Sequence, residues 1–222
     1  MPAKLLTELV GTFVFLTAIA LSSNAGVLAP IAIGVALTAM VYMGGHVSGA
    51  HYNPAVSFGL FLRGAIPAST MGLYWLVQVV AGVLAFTFGF LLSGHHVAIH
   101  PGTGHNAFAA LGAEVVFTAA LVLVVLNVAA TTETAGNSFY GIAIGFAVAA
   151  GAFAVGPISG AAFNPAVGIA ATFSGAVFGS DSWSDVWIYI AGPLAGAALG
   201  ALVHWMQARP GPIKVEESER SA

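Results

Sequence analysis

Six stretches of this chain, at roughly residues 5–23, 28–44, 71–92, 107–130, 139–156 and 185–206, are apolar over the length of a membrane span. A helix crossing about 30 Å of hydrocarbon needs about 20 apolar residues, within a range of roughly 17–25. Composition agrees with that reading. Of the 222 residues 59% are hydrophobic and 6% charged, against about 25% charged in a soluble domain. So few charges cannot cover a soluble surface, and so apolar a chain is not a disordered one. Lipid is therefore the solvent for most of the molecule. An all-α membrane protein is expected, as one domain over 1–222 with a short polar tail at 208–222.

Two further segments, 45–64 and 157–178, are apolar but broken by Gly, Pro and Asn. They are too interrupted to span and too apolar for surface loops. Irregular backbone at membrane depth is tolerated where protein buries it or where it lines a watery cavity. Lys4, Arg63, Arg209, Lys214 and Arg220 are the complete basic set, and with six spans all fall on one side. By the positive-inside rule both termini are cytoplasmic. At the amino terminus, Lys4, an apolar run and Ala18-Ile19-Ala20 resemble a secretory leader. Glu8 within the run, and a counterpart in the second half, favour a retained membrane helix.

The chain repeats itself. Ser48-Gly49-Ala50-His51-Tyr52-Asn53-Pro54-Ala55-Val56 matches Ser159-Gly160-Ala161-Ala162-Phe163-Asn164-Pro165-Ala166-Val167 at seven of nine positions, 111 residues apart. The same offset pairs Ile31–Gly34 with Ile142–Gly145, and an offset of 106 pairs Glu8 with Glu114. Each half, approximately 4–92 and 107–206, reads span, span, broken segment, span. Three spans is an odd number, so the second copy enters from the opposite face and the repeats are inverted. The broken segments then meet near the middle.

Asn is a favoured N-cap and Pro a favoured first helical residue. Asn53-Pro54-Ala55 and Asn164-Pro165-Ala166 therefore start short helices, Val56 to Leu62 and Val167 to Phe173, of about two turns each. Their N-termini, each with roughly half a positive charge, face one another. An Asn that caps through its oxygen leaves its NH₂ free toward the gap. A neutral solute can accept from both amides, while a cation meets two positive dipole ends and a proton wire is interrupted.

These paired triplets, with Ser48-Gly49-Ala50-His51, Ser159-Gly160, Glu8, Glu114, Gln78 and Gly192-Pro193, resemble the aquaporin, or major intrinsic protein, family over roughly residues 4–207. The resemblance implies a right-handed bundle of six transmembrane helices and two re-entrant half-helices, one pore per subunit and a homotetramer. It implies a passive channel for water and small uncharged solutes in the plasma membrane, with no catalysis and no cofactor. Nucleic acid is excluded as a partner by the scarcity of basic residues.

Glu8 and Glu114 are the acidic residues inside the spans. Such residues are usually functional, and they read either as an ion-coupling site or as acceptors for backbone N–H groups of the broken segments. Their symmetric placement favours the second, and the resemblance implies that they, with His51, support the pore loops. His95, His96, His100 and His105 cluster in one connection without regular spacing or a nearby carboxylate, so no metal site is expected there. Gly141-x-x-x-Gly145 and Gly196-x-x-x-Gly200 are close-packing faces.

One position departs from the family. The residue after the second triplet is usually Arg, and here it is Val167. The resemblance places Ile33, Ala152 and Ala161 beside it in an outer constriction. That ring is expected to be wide and apolar, with backbone carbonyls replacing a solute's hydration. A channel mainly for a larger neutral solute (a metalloid acid, ammonia, glycerol or urea) is the alternative. Gly168 stands where glycerol channels typically carry Asp. A secondary transporter shares inverted repeats and broken helices and is the reading from another class. An intramembrane hydrolase built on Ser48 or Ser159 lacks a matched His and Asp.

Overall fold

A computed structural model describes residues 1–207. The tail 208–222, with Arg209, Lys214, Arg220 and the acidic residues among them, lies outside the described residues. Among those residues every regular element is helical. They run α1 (Pro2–Leu21), α2 (Ala29–Ser48), α3 (Pro54–Leu62), α4 (Ala68–Ser93), α5 (Ala107–Val125), α6 (Tyr140–Ser159), α7 (Pro165–Phe178) and α8 (Val186–Gln207). A 3₁₀ segment, Ser22–Leu28, joins α1 to α2, and α5 widens into a π-turn over Leu126–Ala130. Six helices are long and apolar enough to cross a bilayer. The two half-helices, α3 and α7, complete the inverted repeat.

The core is assembled symmetrically. In each repeat the first and third spans pack together, α1 on α4 and α5 on α8, while α2 meets α6 across the repeats. Each half-helix also packs on the third span of the other repeat, α3 on α8 and α7 on α4. Small residues allow these approaches. A Cβ at Gly34 would lie 2.7 Å from the Gly145 carbonyl oxygen, and one at Gly200 would lie 2.6 Å from that of Ala119. These are the seams that the two Gly-x-x-x-Gly faces indicate in sequence. Leu6, Val10 and Val14 on α1 and Leu73, Leu76, Val80 and Leu84 on α4 stay exposed, as a lipid-facing surface requires.

The broken segments begin later than their glycines suggest. α2 continues past residue 44 to Ser48, and α6 carries Pro157 inside it to end at Ser159. What stops both helices is a left-handed residue without Cβ penalty, Gly49 at φ 86° and Gly160 at φ 85°. α7 is also longer than the expected two turns, with 14 residues against 9 for α3. Nothing in its run from Pro165 to Phe178 breaks a helix, and Gly179 ends it.

Candidate functional site

The two pore loops, Gly49–Tyr52 and Gly160–Phe163, adopt a backbone that side chains resist. Ala50, Tyr52, Ala161 and Phe163 have φ of 52°, 49°, 54° and 49°. Left-handed non-glycine residues cost of order 1–3 kcal/mol each and persist where the surroundings over-determine them. Here the determinant is a buried carboxylate in each repeat.

Glu8, with no solvent exposure, accepts from four donors. Its Oε1 takes the Ser48 hydroxyl at 2.7 Å and the His51 amide at 2.9 Å. Its Oε2 takes the Tyr52 amide at 2.8 Å and Gln78 Nε2 at 2.9 Å. Glu114 repeats the pattern with three. Ser159 Oγ (2.8 Å) and the Ala162 amide (3.0 Å) meet Oε1, and the Phe163 amide (2.6 Å) meets Oε2. The serine oxygens in turn accept from the amides of Ala50 and Ala161. Three successive amides of each loop are thus drawn to one side. In a trans peptide the preceding carbonyl points the opposite way, so the carbonyls of residues 49–51 and 160–162 face away from the carboxylates.

Asn53 and Asn164 each cap a half-helix, Oδ1 accepting from Ala55 N at 2.8 Å and Ala166 N at 2.9 Å. Their amide nitrogens cross the midplane. Asn53 Nδ2 donates to the Phe163 carbonyl at 2.8 Å and Asn164 Nδ2 to the Tyr52 carbonyl at 3.0 Å. The expectation that each NH₂ stands wholly free is therefore corrected: one N–H of each amide holds the other repeat's loop, and one remains. Pro54, Ala55, Pro165 and Ala166 are buried in the first turns behind them.

One cavity of about 410 Å³ touches Asn53, Asn164, Ile33, Ala152, Ala161 and Val167. The two amides and the four residues of the expected outer ring are brought together in a single space. His51 lines it too, with Nδ1 2.9 Å from Ser57 Oγ and its ring edge-on to Tyr74 at 5.0 Å.

Several contributors escaped the sequence reading. Tyr74 and Tyr189 donate to the carbonyls of Ser48 and Ser159 at 2.8 and 2.7 Å, closing the loops from the third spans. Their spacing of 115 residues is a repeat signal that could have revealed them. Trp75 Nε1 donates to the Pro54 carbonyl at 2.9 Å and ties α4 to the first turn of α3. The connection after α4 folds back as a strap, with residues 97–100 and Gly102 lining the cavity. Gly102 N donates to the Ile158 carbonyl at 2.9 Å and seats it.

The same connection holds the four histidines, which go to separate places. His96 Nε2 lies 3.4 Å from Asp181 Oδ2, so a carboxylate is near after all, brought by the segment after α7. His100 Nδ1 donates to the Pro101 carbonyl at 3.1 Å, while the backbone amides of His95 and His105 bond Ser93 and Gly102. No three His, Asp or Glu side chains converge as a metal site among the described residues.

Comparison with known proteins agrees with this arrangement. Residues 2–204 match the family model described as major intrinsic protein. Aquaporin NIP1-4 of Oryza sativa subsp. japonica is 37% identical over 175 residues, covering 77% of this chain and 61% of that protein. The probable aquaporin TIP2-2 of the same plant is 36% identical over 172 residues, covering 77% and 67%. The match thus spans less than two thirds of the first relative and about two thirds of the second. The aquaglyceroporin from Plasmodium falciparum shares the fold, with a TM-score of 0.73 at 19% identity over 91% of this chain and 94% of that one. With two capped half-helices joined at the midplane and a family match over nearly its whole length, the chain belongs to the major intrinsic protein family.

Proposed function

We propose that the protein is a passive channel for water and small uncharged solutes, with its route through the cavity at the Asn53–Asn164 junction. The observation that carries this reading is the crossed pair of asparagines. Each keeps one N–H beyond the bond that fixes it, so two donors face the space between two positive helix ends. A neutral solute accepts from them in passing; a cation is repelled. Glu8 and Glu114 are enclosed by donors from their own loops, which supports a strut role over the ion coupling that a secondary transporter needs.

Ile33, Ala152, Ala161 and Val167 form the outer constriction in this reading. Their apolar side chains favour solutes larger than water, because none of the four carries an aromatic ring or a guanidinium. The subunit works as a homotetramer in the plasma membrane, with both termini cytoplasmic and the histidine-bearing strap on the outer face. The strap then covers the entrance.

Stopped-flow measurement on reconstituted vesicles tests the proposal, using water, glycerol, ammonia and a metalloid acid. Permeability above that of empty vesicles, without saturation and without dependence on a proton gradient, is expected. Saturable, gradient-driven uptake would replace the channel with a transporter. Val167→Arg should lower permeability to the larger solutes more than to water. An unchanged solute profile would remove Val167 from the constriction.

A further inference from the structure

A partly buried polar cluster on the Arg63 face lies apart from the cavity. Arg63 caps the C-terminal end of α3, where a cation complements the helix dipole. Its Nε donates to His204 Nδ1 at 3.0 Å, and His204 Nε2 lies 2.9 Å from Thr131 Oγ1. The protons can be assigned from what each atom can do. A guanidinium nitrogen only donates, so Nδ1 is a bare acceptor. Thr131 gives its own proton to the Leu126 carbonyl at 2.9 Å, so its oxygen accepts from Nε2–H. The imidazole, 2% exposed, is therefore neutral and held in one tautomer. It joins the end of α3, the residue just past the π-turn of α5 and the last turn of α8.

We propose that His204 is a positioning residue for the pore, pinning the Arg63 end of α3 when neutral and releasing it when protonated. A second proton must enter at Nδ1, the atom that faces Arg63. It removes the acceptor and sets two cations at the distance of the present hydrogen bond. α8 packs against α3, α5 and α7. The charge facing the ring from α3 is Arg63, and the segment after α5 brings Glu133, which attracts the imidazolium. α5 itself carries only Glu114, bound to the second pore loop, and α7 has no titratable side chain. Glu133 is exposed, so its attraction is screened and is outweighed by the burial of the ring and by the contact with Arg63. α3 is a rod of about 14 Å at 1.5 Å per residue. Displacing its Arg63 end moves Asn53 at the other, with the bond to the Phe163 carbonyl. Resting on the channel reading, the consequence is a lower water permeability when the ring is protonated.

The test sets the pH equally on both sides of reconstituted vesicles and lowers it from about 8 to about 4, past the interval in which an exposed imidazole changes charge, because the second proton must be added beside Arg63. Water permeability of the unaltered protein should fall about fivefold or more, a coupling of ordinary size. His204→Asn keeps an acceptor toward Arg63 and cannot titrate, so its profile should be flat. Nitrogen NMR of the full chain reads the cluster directly. His204 should pass from the Nε2–H tautomer to imidazolium with the Asn53 amide signal moving in step, and Arg63→Met should uncouple the two. A flat profile for the unaltered protein, or an equally steep one for His204→Asn, overturns the proposal. Vesicles no more permeable than empty ones would defeat the channel reading instead. The NMR then decides alone, and an Asn53 signal that ignores His204 overturns the latch.

Discussion

Replacing either buried glutamate by glutamine isolates the contribution of the carboxylate to the pore loops. Consecutive backbone amides go to different oxygens of one side chain: His51 and Tyr52 to Oε1 and Oε2 of Glu8, Ala162 and Phe163 to those of Glu114. A glutamine offers one oxygen and one NH₂. Whichever way the amide turns, one loop N–H faces another N–H. The hydroxyls of Ser48 and Ser159 can rotate to accept from the new NH₂; a backbone amide cannot. Each substitution therefore leaves one buried donor unpaired, at about 1–3 kcal/mol. For a chain of this size each kcal/mol moves the melting temperature by about 2–4 °C, so Glu8→Gln and Glu114→Gln should each melt roughly 2–12 °C lower. Gln78→Met provides the contrast. It removes the 2.9 Å donor to Glu8 and orphans no backbone N–H, leaving Glu8 with the three-donor shell that Glu114 already has. Its cost should fall below that of Glu8→Gln, because the lost bonds to Glu8 and Ser57 are offset by removing Gln78 Oε1, which is buried without a partner. Thermal unfolding in detergent, followed by helical circular dichroism with water permeability on the same preparations, makes the comparison. A Glu8→Gln protein as stable as the original, or a Gln78→Met protein as damaged as Glu8→Gln, would refute the reasoning.

Three further outcomes are expected. Gly11→Ala or Gly44→Ala places a methyl group in the ring or hydroxyl of the buried Tyr52; overpacking of this kind costs about 1–3 kcal/mol and should appear as a lower melting temperature with reduced water flux. Tyr74→Phe and Tyr189→Phe each delete one hydroxyl bond to a serine carbonyl, and the two should lose nearly equal stability, about 1 kcal/mol each. Asn164→Asp puts a carboxylate against the Tyr52 carbonyl in place of a donor, so it should destabilise the junction and raise proton leak, measured with a pH-sensitive dye inside the vesicles.

The fold was legible because its signals are duplicated. Six apolar runs, the nine-residue repeat and the Glu8–Glu114 pair each point to the same inverted architecture. The helix starts at Asn53 and Asn164 follow from local capping chemistry, as do their Oδ1 bonds. The rest depended on distances along the chain that no local rule reaches. That one N–H of each asparagine is taken by the opposite loop is a contact across about half the sequence. The strap at 97–102 looked like an ordinary connection, since its backbone bond to Ile158 leaves no mark on composition. The lengths of α2 and α6 were misjudged because Gly45 and Pro157 read as breakers, while packed membrane helices tolerate both.

Symmetry also separates the residues that build the frame from those that particularise it. Glu8 and Glu114, Ser48 and Ser159, Tyr74 and Tyr189, and the two asparagines act in matched pairs, and all of them hold backbone. The unmatched residues act on side chains, on the cavity or, for Trp75, on the backbone of one half-helix alone. Gln78 serves Glu8 and Ser57 of the first repeat, and Trp75 ties down only the first half-helix. His204 reaches α3 through Arg63, and the cavity receives the strap from one connection only. In the channel reading, a solute at the junction meets the same donors from either side, because Asn53 and Asn164 are equivalent. It meets different walls and a different degree of restraint in each half. In the channel reading, discrimination between solutes and the proposed response to pH belong where the repeat is broken, so variants at Val167 and His204 should alter transport with less loss of stability than variants at Glu8 or Glu114.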